Sequence, residues 1–118
     1  MDPAKLHEYV AAYDRRSAAR QARREADAES ARSVAPVLAD ICREYGARQV
    51  RLFGSLVTGN YGASPDIDLA VNDVPAERFF DLLAALQIQA APFEVDLVDM
   101  AAASPELLQS IEAHGRVL

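Results

Sequence analysis

Two short stretches carry most of the information in this chain: Phe53-Gly54-Ser55 and, ten residues further on, Asp66-Ile67-Asp68-Leu69. Side chains two apart on a β-strand share a face, so Asp66 and Asp68 project together while Ile67, Leu69 and Val71 take the other side. A third carboxylate, Asp96, stands inside another apolar run, Phe93-Glu94-Val95-Asp96-Leu97-Val98. Acids in strand-like apolar segments are costly unless something binds them, and a divalent metal carrying a phosphate is the simplest such partner.

The Gly-Ser dipeptide suits the other half of that chemistry. A strand that turns directly into a helix leaves free N–H groups at the helix start, which favour a phosphate. Gly54 removes the Cβ that blocks close approach, and Ser55 adds a hydroxyl donor. Taken alone, Gly-Ser is also an ordinary turn dipeptide. The carboxylates have their own plain alternatives, a solvent-facing pair on an edge strand or an Asx turn after Pro65. Two carboxylates about 4 Å apart repel by roughly 4 kcal/mol at an intermediate effective dielectric. A cation turns that repulsion into attraction, and an all-oxygen donor set is the chemistry of Mg²⁺. With Asp96 reaching the same face from a neighbouring strand, a two-metal site for in-line displacement at phosphorus is expected.

Periodicity around these stretches predicts strands alternating with helices. Residues 3–31 form an Ala-rich helix with an apolar stripe limited to Leu6, Val10 and Tyr13, expected to project or to pack on a partner. Its arginines Arg15, Arg16, Arg20, Arg23 and Arg24 read as a solvated face with pairs such as Arg23 with Asp27, in preference to a nucleic-acid contact. A second helix carries Val34, Val37, Leu38, Ile41, Cys42 and Tyr45 and stops at Gly46, with Cys42 as a core residue. Gln49–Phe53 is the first strand and Ser55–Gly59 a short helix. Asn60–Pro65 is a loop, and Tyr61 within it has the shape to stack on a base, although loop aromatics more often pack on their own domain. Asp66–Val71 is the second strand. A helix opened by Pro75 buries Phe79, Leu82, Leu83 and Leu86, and Phe93–Val98 is the third strand. The last helix is capped by Ser104, has Pro105 in its first turn and ends at Gly115. Glu94 reads as solvated; Asp73 and Asp99 read as loop or capping residues. The expected fold is α+β: a small mixed sheet flanked by helices, with an N-terminal helical arm (1–33) and a body (34–118).

Composition bounds the function. The chain has 118 residues, enough for one modest core, and a net charge of −6. Residues 1–33 hold seven Lys/Arg and six Asp/Glu, and the remainder five and twelve, so the body carries −7. An acidic body is a poor surface for wrapping nucleic acid and a good one for metal cations. No apolar stretch approaches a membrane span, and no signal-peptide pattern opens the sequence. One cysteine and two distant histidines, His7 and His114, disfavour a disulfide and a zinc site. A cytoplasmic protein is expected.

Gly54-Ser55, ten residues, Asp66-Ile67-Asp68 and then Asp96 in Val95-Asp96-Leu97-Val98 closely resemble the signature of the minimal nucleotidyltransferases of the polymerase-β-like superfamily. The resemblance covers roughly residues 47–118. It implies that Asp66 and Asp68 are metal ligands, and that Asp96 is a ligand and the general base for the attacking hydroxyl. Gly54 and Ser55 would hold the β- and γ-phosphates of the incoming nucleotide. Small members commonly carry an Arg in the turn after Gly-Ser, where this chain has Leu56-Val57-Thr58-Gly59. Such proteins are typically encoded beside a HEPN-type helical toxin, and several are antitoxins that add AMP to a tyrosine of that ribonuclease. The resemblance therefore implies an ATP- and Mg²⁺-dependent protein adenylyltransferase, with a partner supplying the acceptor surface and the N-terminal helix serving to dock it or to form a homo-oligomer. A non-catalytic module that neutralises a toxin by binding, and a nucleotidyltransferase acting on a small molecule such as an aminoglycoside, are the competing readings.

Overall fold

The computed structural model of the chain describes residues 2–60 and 65–118. Tyr61 lies outside the described residues.

One helix, α1, runs without interruption from Pro3 to Glu44. Asp2 caps it by accepting from the Ala4 N–H at 3.2 Å, with Pro3 in the first turn. The expectation of two helices is corrected here. Pro36 sits inside α1, where a proline removes one ladder hydrogen bond at a cost of about 3 kcal/mol. Burial on both sides of it offsets that cost: Ala28, Ala31, Ala35, Leu38, Ala39 and Cys42 recur every three or four residues and are all buried. Alanines at these positions let α1 lie close against its neighbours. Val37, expected on the stripe, is instead 46 % exposed. The helix ends at Tyr45, followed by Gly46 at φ 107°.

Among the described residues the sheet has four strands in the order β3-β2-β1-β4, formed by β1 (Val50–Phe53), β2 (Ile67–Val71), β3 (Val95–Asp99) and β4 (Arg116–Val117). β4 was not anticipated; two residues are too few to show a period. β1 pairs antiparallel with β2 and with β4, while β2 and β3 are parallel. The parallel pair is joined by a single 3₁₀ turn (Ala76–Arg78) and α3 (Phe79–Ala90), a βαβ crossover. A four-residue helix α2 (Ser55–Thr58) follows β1, and α4 (Pro105–His114) follows β3. Ser104 caps α4 by accepting from the Leu107 N–H at 3.2 Å.

Alternation along the strands divides the core. Val50, Leu52, Ile67, Leu69, Val71 and Val95 face α1 and α3, with Leu82 and Leu86 of α3 closing the layer. On the other face, Ala70 and Met100 pack with Ile111 of α4, flanked by Phe53, Val98 and Leu107. Cys42 is fully buried, which pushes its thiol up to about 11, as expected of a core cysteine and not of a nucleophile. No residue of α1 before Ala28 is buried, so its first half extends beyond the body. Leu6, Val10 and Tyr13 are more than half exposed along it, together with Tyr9. Among the described residues the ion pairs are Arg32–Glu29, Arg43–Asp40 and Arg48–Asp73; the expected Arg23–Asp27 pair is not one of them. None of the described helices is long and apolar enough to cross a membrane.

Candidate active site

The end of β1 and the openings of β2 and β3 meet at one end of the sheet. Phe53 pairs with Asp68 across the antiparallel ladder, and Asp68 pairs with Asp96 across the parallel one. That register sets Phe53, Asp68 and Asp96 in a row across three neighbouring strands, with Gly54 next after Phe53 and against the Asp68 carboxylate. In-register residues of a parallel pair present their side chains on the same face, about 4.8 Å apart. Asp68 and Asp96 are therefore forced together by the sheet itself.

The electrostatics follow from that placement. The Asp68 carboxyl is pushed up from 3.8 to about 6. Partial burial is the largest cause, followed by its hydrogen bond with Asp96 and by the charges of Asp96 and Asp66. Asp68 is half-buried, while Asp66 and Asp96 are exposed. Asp66 lies one residue before β2, which begins at Ile67 and not at Asp66 as expected. It is still close enough for its charge to act on Asp68. Among the described residues, no three acidic, histidine or cysteine side chains already form a closed metal-binding cluster. The donor set nonetheless fits a hard divalent cation. It is all oxygen, Asp68 and Asp96 lie in register on adjacent strands, and Asp66 precedes β2 by one residue.

Gly54 sits against this row at φ 72°, ψ −149°, a conformation open essentially to glycine alone. A Cβ added to it would run into the Asp68 carboxylate. The peptide enters α2 directly, and the N–H groups of Val57 and Thr58 fold back onto the Gly54 carbonyl, both at 3.1 Å. Ser55 is thus the first residue of a one-turn helix, half-buried and next after Gly54. Leu56 anchors that turn in the core.

Other expectations resolve simply. Glu94 is exposed and its carbonyl accepts from the Ile67 N–H at 2.9 Å, tying the start of β2 to β3. Asp99 ends β3 and accepts from the Ala101 N–H at 3.0 Å. Asp73 takes a positive φ of 63° in the turn after β2. One neighbour of the turn was not anticipated. Arg32, placed by sequence in the projecting arm, donates to the Leu56 carbonyl at 3.2 Å. Only the break of helical period at the true start of the buried stripe, Ala28, would have pointed to it.

Residues 37–118 match the family model described as Polymerase beta, Nucleotidyltransferase, and the chain belongs to that family. Its fold is that of a minimal nucleotidyltransferase. A solved structure of one such protein is 26 % identical, with a TM-score of 0.67 over 78 % of this chain and 96 % of that one. Toxin–antitoxin complexes are also similar. One, solved with AMP-PNP, is 28 % identical with a TM-score of 0.56 over 67 % of each chain. Another is the tri-AMPylated Shewanella oneidensis HEPN toxin in complex with MNT antitoxin, 25 % identical with a TM-score of 0.56 over 74 % of this chain and 70 % of that one. Comparison with curated protein sequences gives no match.

Proposed function

We propose that this protein transfers AMP from ATP to a hydroxyl, a tyrosine of a HEPN-type toxin, and so acts as the antitoxin of that pair. The observation that carries the reading is the contact of Gly54 with Asp68 together with the in-register pairing of Asp68 and Asp96, which set a close-approach backbone beside two carboxylates that repel unless a cation joins them. Similarity to an AMP-PNP complex and to a complex with an AMPylated toxin supports the choice of nucleotide and acceptor.

In this reading Asp66, Asp68 and Asp96 hold Mg²⁺, which when bound neutralises the phosphate oxygens and the carboxylates together. Gly54 and Ser55 take the β- and γ-phosphates through backbone N–H groups and the Ser55 hydroxyl. The acceptor hydroxyl attacks the α-phosphorus, forming a new P–O bond, while the bond to the β-phosphate breaks and pyrophosphate leaves in line. Asp96, the more exposed carboxylate of the pair and at the outer strand of the sheet, receives the proton of the attacking hydroxyl. β3 is an edge strand of the sheet among the described residues, and the acceptor would approach on that side.

In this reading the toxin partner supplies the acceptor hydroxyl. The exposed stripe Leu6, Tyr9, Val10 and Tyr13 on the free half of α1 is the surface for docking that partner or a second copy. A module that neutralised by contact alone would gain nothing from three mutually repelling acids. The test is incubation with the toxin, Mg²⁺ and α-labelled ATP beside an Asp66→Asn/Asp68→Asn variant. Label on the toxin that disappears with the variant supports transfer. Inhibition of the toxin that survives the double substitution, with no label, overturns it.

A further inference from the structure

Arg32 reaches across from α1 to the turn that follows β1. Its Nη1 donates to the Leu56 carbonyl at 3.2 Å, and its Nη2 meets the Glu29 carboxylate at 3.2 Å, one turn back on the same helix. Leu56 is the residue immediately after Ser55. In a continuing helix its carbonyl would accept from Asn60, but the Asn60 N–H is directed to Thr58 Oγ1 at 3.4 Å, and Gly59 has already turned the chain at φ 79°. Arg32 stands where that donor would have been.

We propose that Arg32 is a positioning residue for the nucleotide site: it fixes the one-turn helix α2, and through it the Gly54–Ser55 backbone, in the orientation that receives the triphosphate. The inference rests on the reading of that turn as the phosphate-binding element. A single helical turn has too few internal hydrogen bonds to hold its own orientation. Leu56, 2 % exposed, and the half-buried Val57 pin α2 from the core side, but non-directional apolar contacts leave the turn free to rock. A second attachment at the adjacent carbonyl removes that freedom. Arginine suits the task because its planar fork serves the carbonyl and a carboxylate at once, and Glu29 holds the guanidinium in plane. The side chain is 25 % exposed, so its hydrogen bond is partly shielded from water.

The structure also supplies a matched control. Arg43, also on α1, donates to the Leu118 carbonyl and pairs with Asp40 three residues back at 3.0 Å. It makes the same kinds of contact at the opposite end of the packed half of the helix. Binding of AMP-PNP in the presence of Mg²⁺ should weaken about tenfold in Arg32→Ala, with the melting temperature falling no further than in Arg43→Ala. In transfer assays the Arg32→Ala loss should fall on KM for ATP more than on kcat, and Arg32→Lys, which keeps the charge and one donor, should recover part of it. Arg43→Ala should bind AMP-PNP as the unaltered chain does. An Arg32→Ala affinity within about twofold of the unaltered chain, or an equal loss in Arg43→Ala, overturns this inference and leaves the proposed function standing. Failure of the unaltered chain to bind AMP-PNP overturns both.

Discussion

Gly54 and Asp68 touch so closely that the glycine's absent Cβ would occupy the space of the Asp68 carboxylate. Gly54 directly follows β1, and Asp68 lies on the antiparallel neighbour β2, where it pairs with Phe53. Gly54→Ala must therefore either displace Asp68 or abandon φ 72°. Strain of that kind costs about 1–3 kcal/mol. Nucleotide transfer is expected to be lost even in molecules that fold, whereas Gly59→Ala, where an added Cβ meets open space, should retain activity with only the cost of its own positive φ. Paired melting and transfer assays on the two variants check this.

The crowding of Asp68 against Asp96 and Asp66 has a consequence for stability. In the absence of divalent cation at neutral pH, Asp68→Asn removes one of the repelling charges and should raise the melting temperature by a few degrees. Adding Mg²⁺ should stabilise the unaltered chain and leave Asp68→Asn almost unmoved. A variant that melts lower than the unaltered chain without cation would show that the acids are not in mutual conflict.

The same group sets a pH dependence. Asp68 holds its proton more tightly folded, at about 6, than its ordinary value of 3.8. Protonation therefore favours the folded state. The contribution of Asp68 is complete below about 3.8 and is lost as pH rises through about 6, so the cation-free protein loses this support across that window. Cation binding runs the other way, because the ligand must be ionised. Stabilisation by Mg²⁺ should thus be greater at pH 7.5 than at pH 5, and transfer should fall as pH drops below about 6. Thermal melts with and without Mg²⁺ at the two pH values measure it.

Much of this site could be read before the fold was seen, because short-range rules governed it. A Gly-Ser turn between a strand and a helix, and acids two apart at the head of an apolar run, are local patterns. The meeting of Asp68 with Asp96 was only an expectation, since it depends on the parallel register of β2 on β3, which no local pattern encodes. The continuity of α1 escaped for the opposite reason. Pro36 and the change of stripe composition argue locally for a break, and burial of Ala28, Ala31 and Ala35 overrides them. Arg32 was hidden by the same error, as an arm residue has no reason to reach the Leu56 carbonyl.

The free half of α1 gives a prediction about assembly. Deleting residues up to 24 removes no buried side chain, and the body should melt nearly unchanged. Deletion through Pro36 removes Ala28, Ala31 and Ala35 from the core and should unfold much of it. If the stripe at Leu6, Tyr9, Val10 and Tyr13 docks a partner or a second copy, the shorter deletion should weaken the complex or dissociate the oligomer, as read by light scattering.

Transfer of AMP to a partner's hydroxyl, as proposed for the site around Gly54, Asp68 and Asp96, leaves a change of mass. The most direct measurement is the intact mass of a HEPN-type toxin after incubation with this protein, ATP and Mg²⁺, followed by mapping of the altered residue. The expected result is a toxin heavier by whole AMP units, carried on tyrosine, with the unaltered protein, and an unchanged toxin with Asp68→Asn or Asp96→Asn. A toxin of unchanged mass in a complex that is nonetheless inhibited would contradict it.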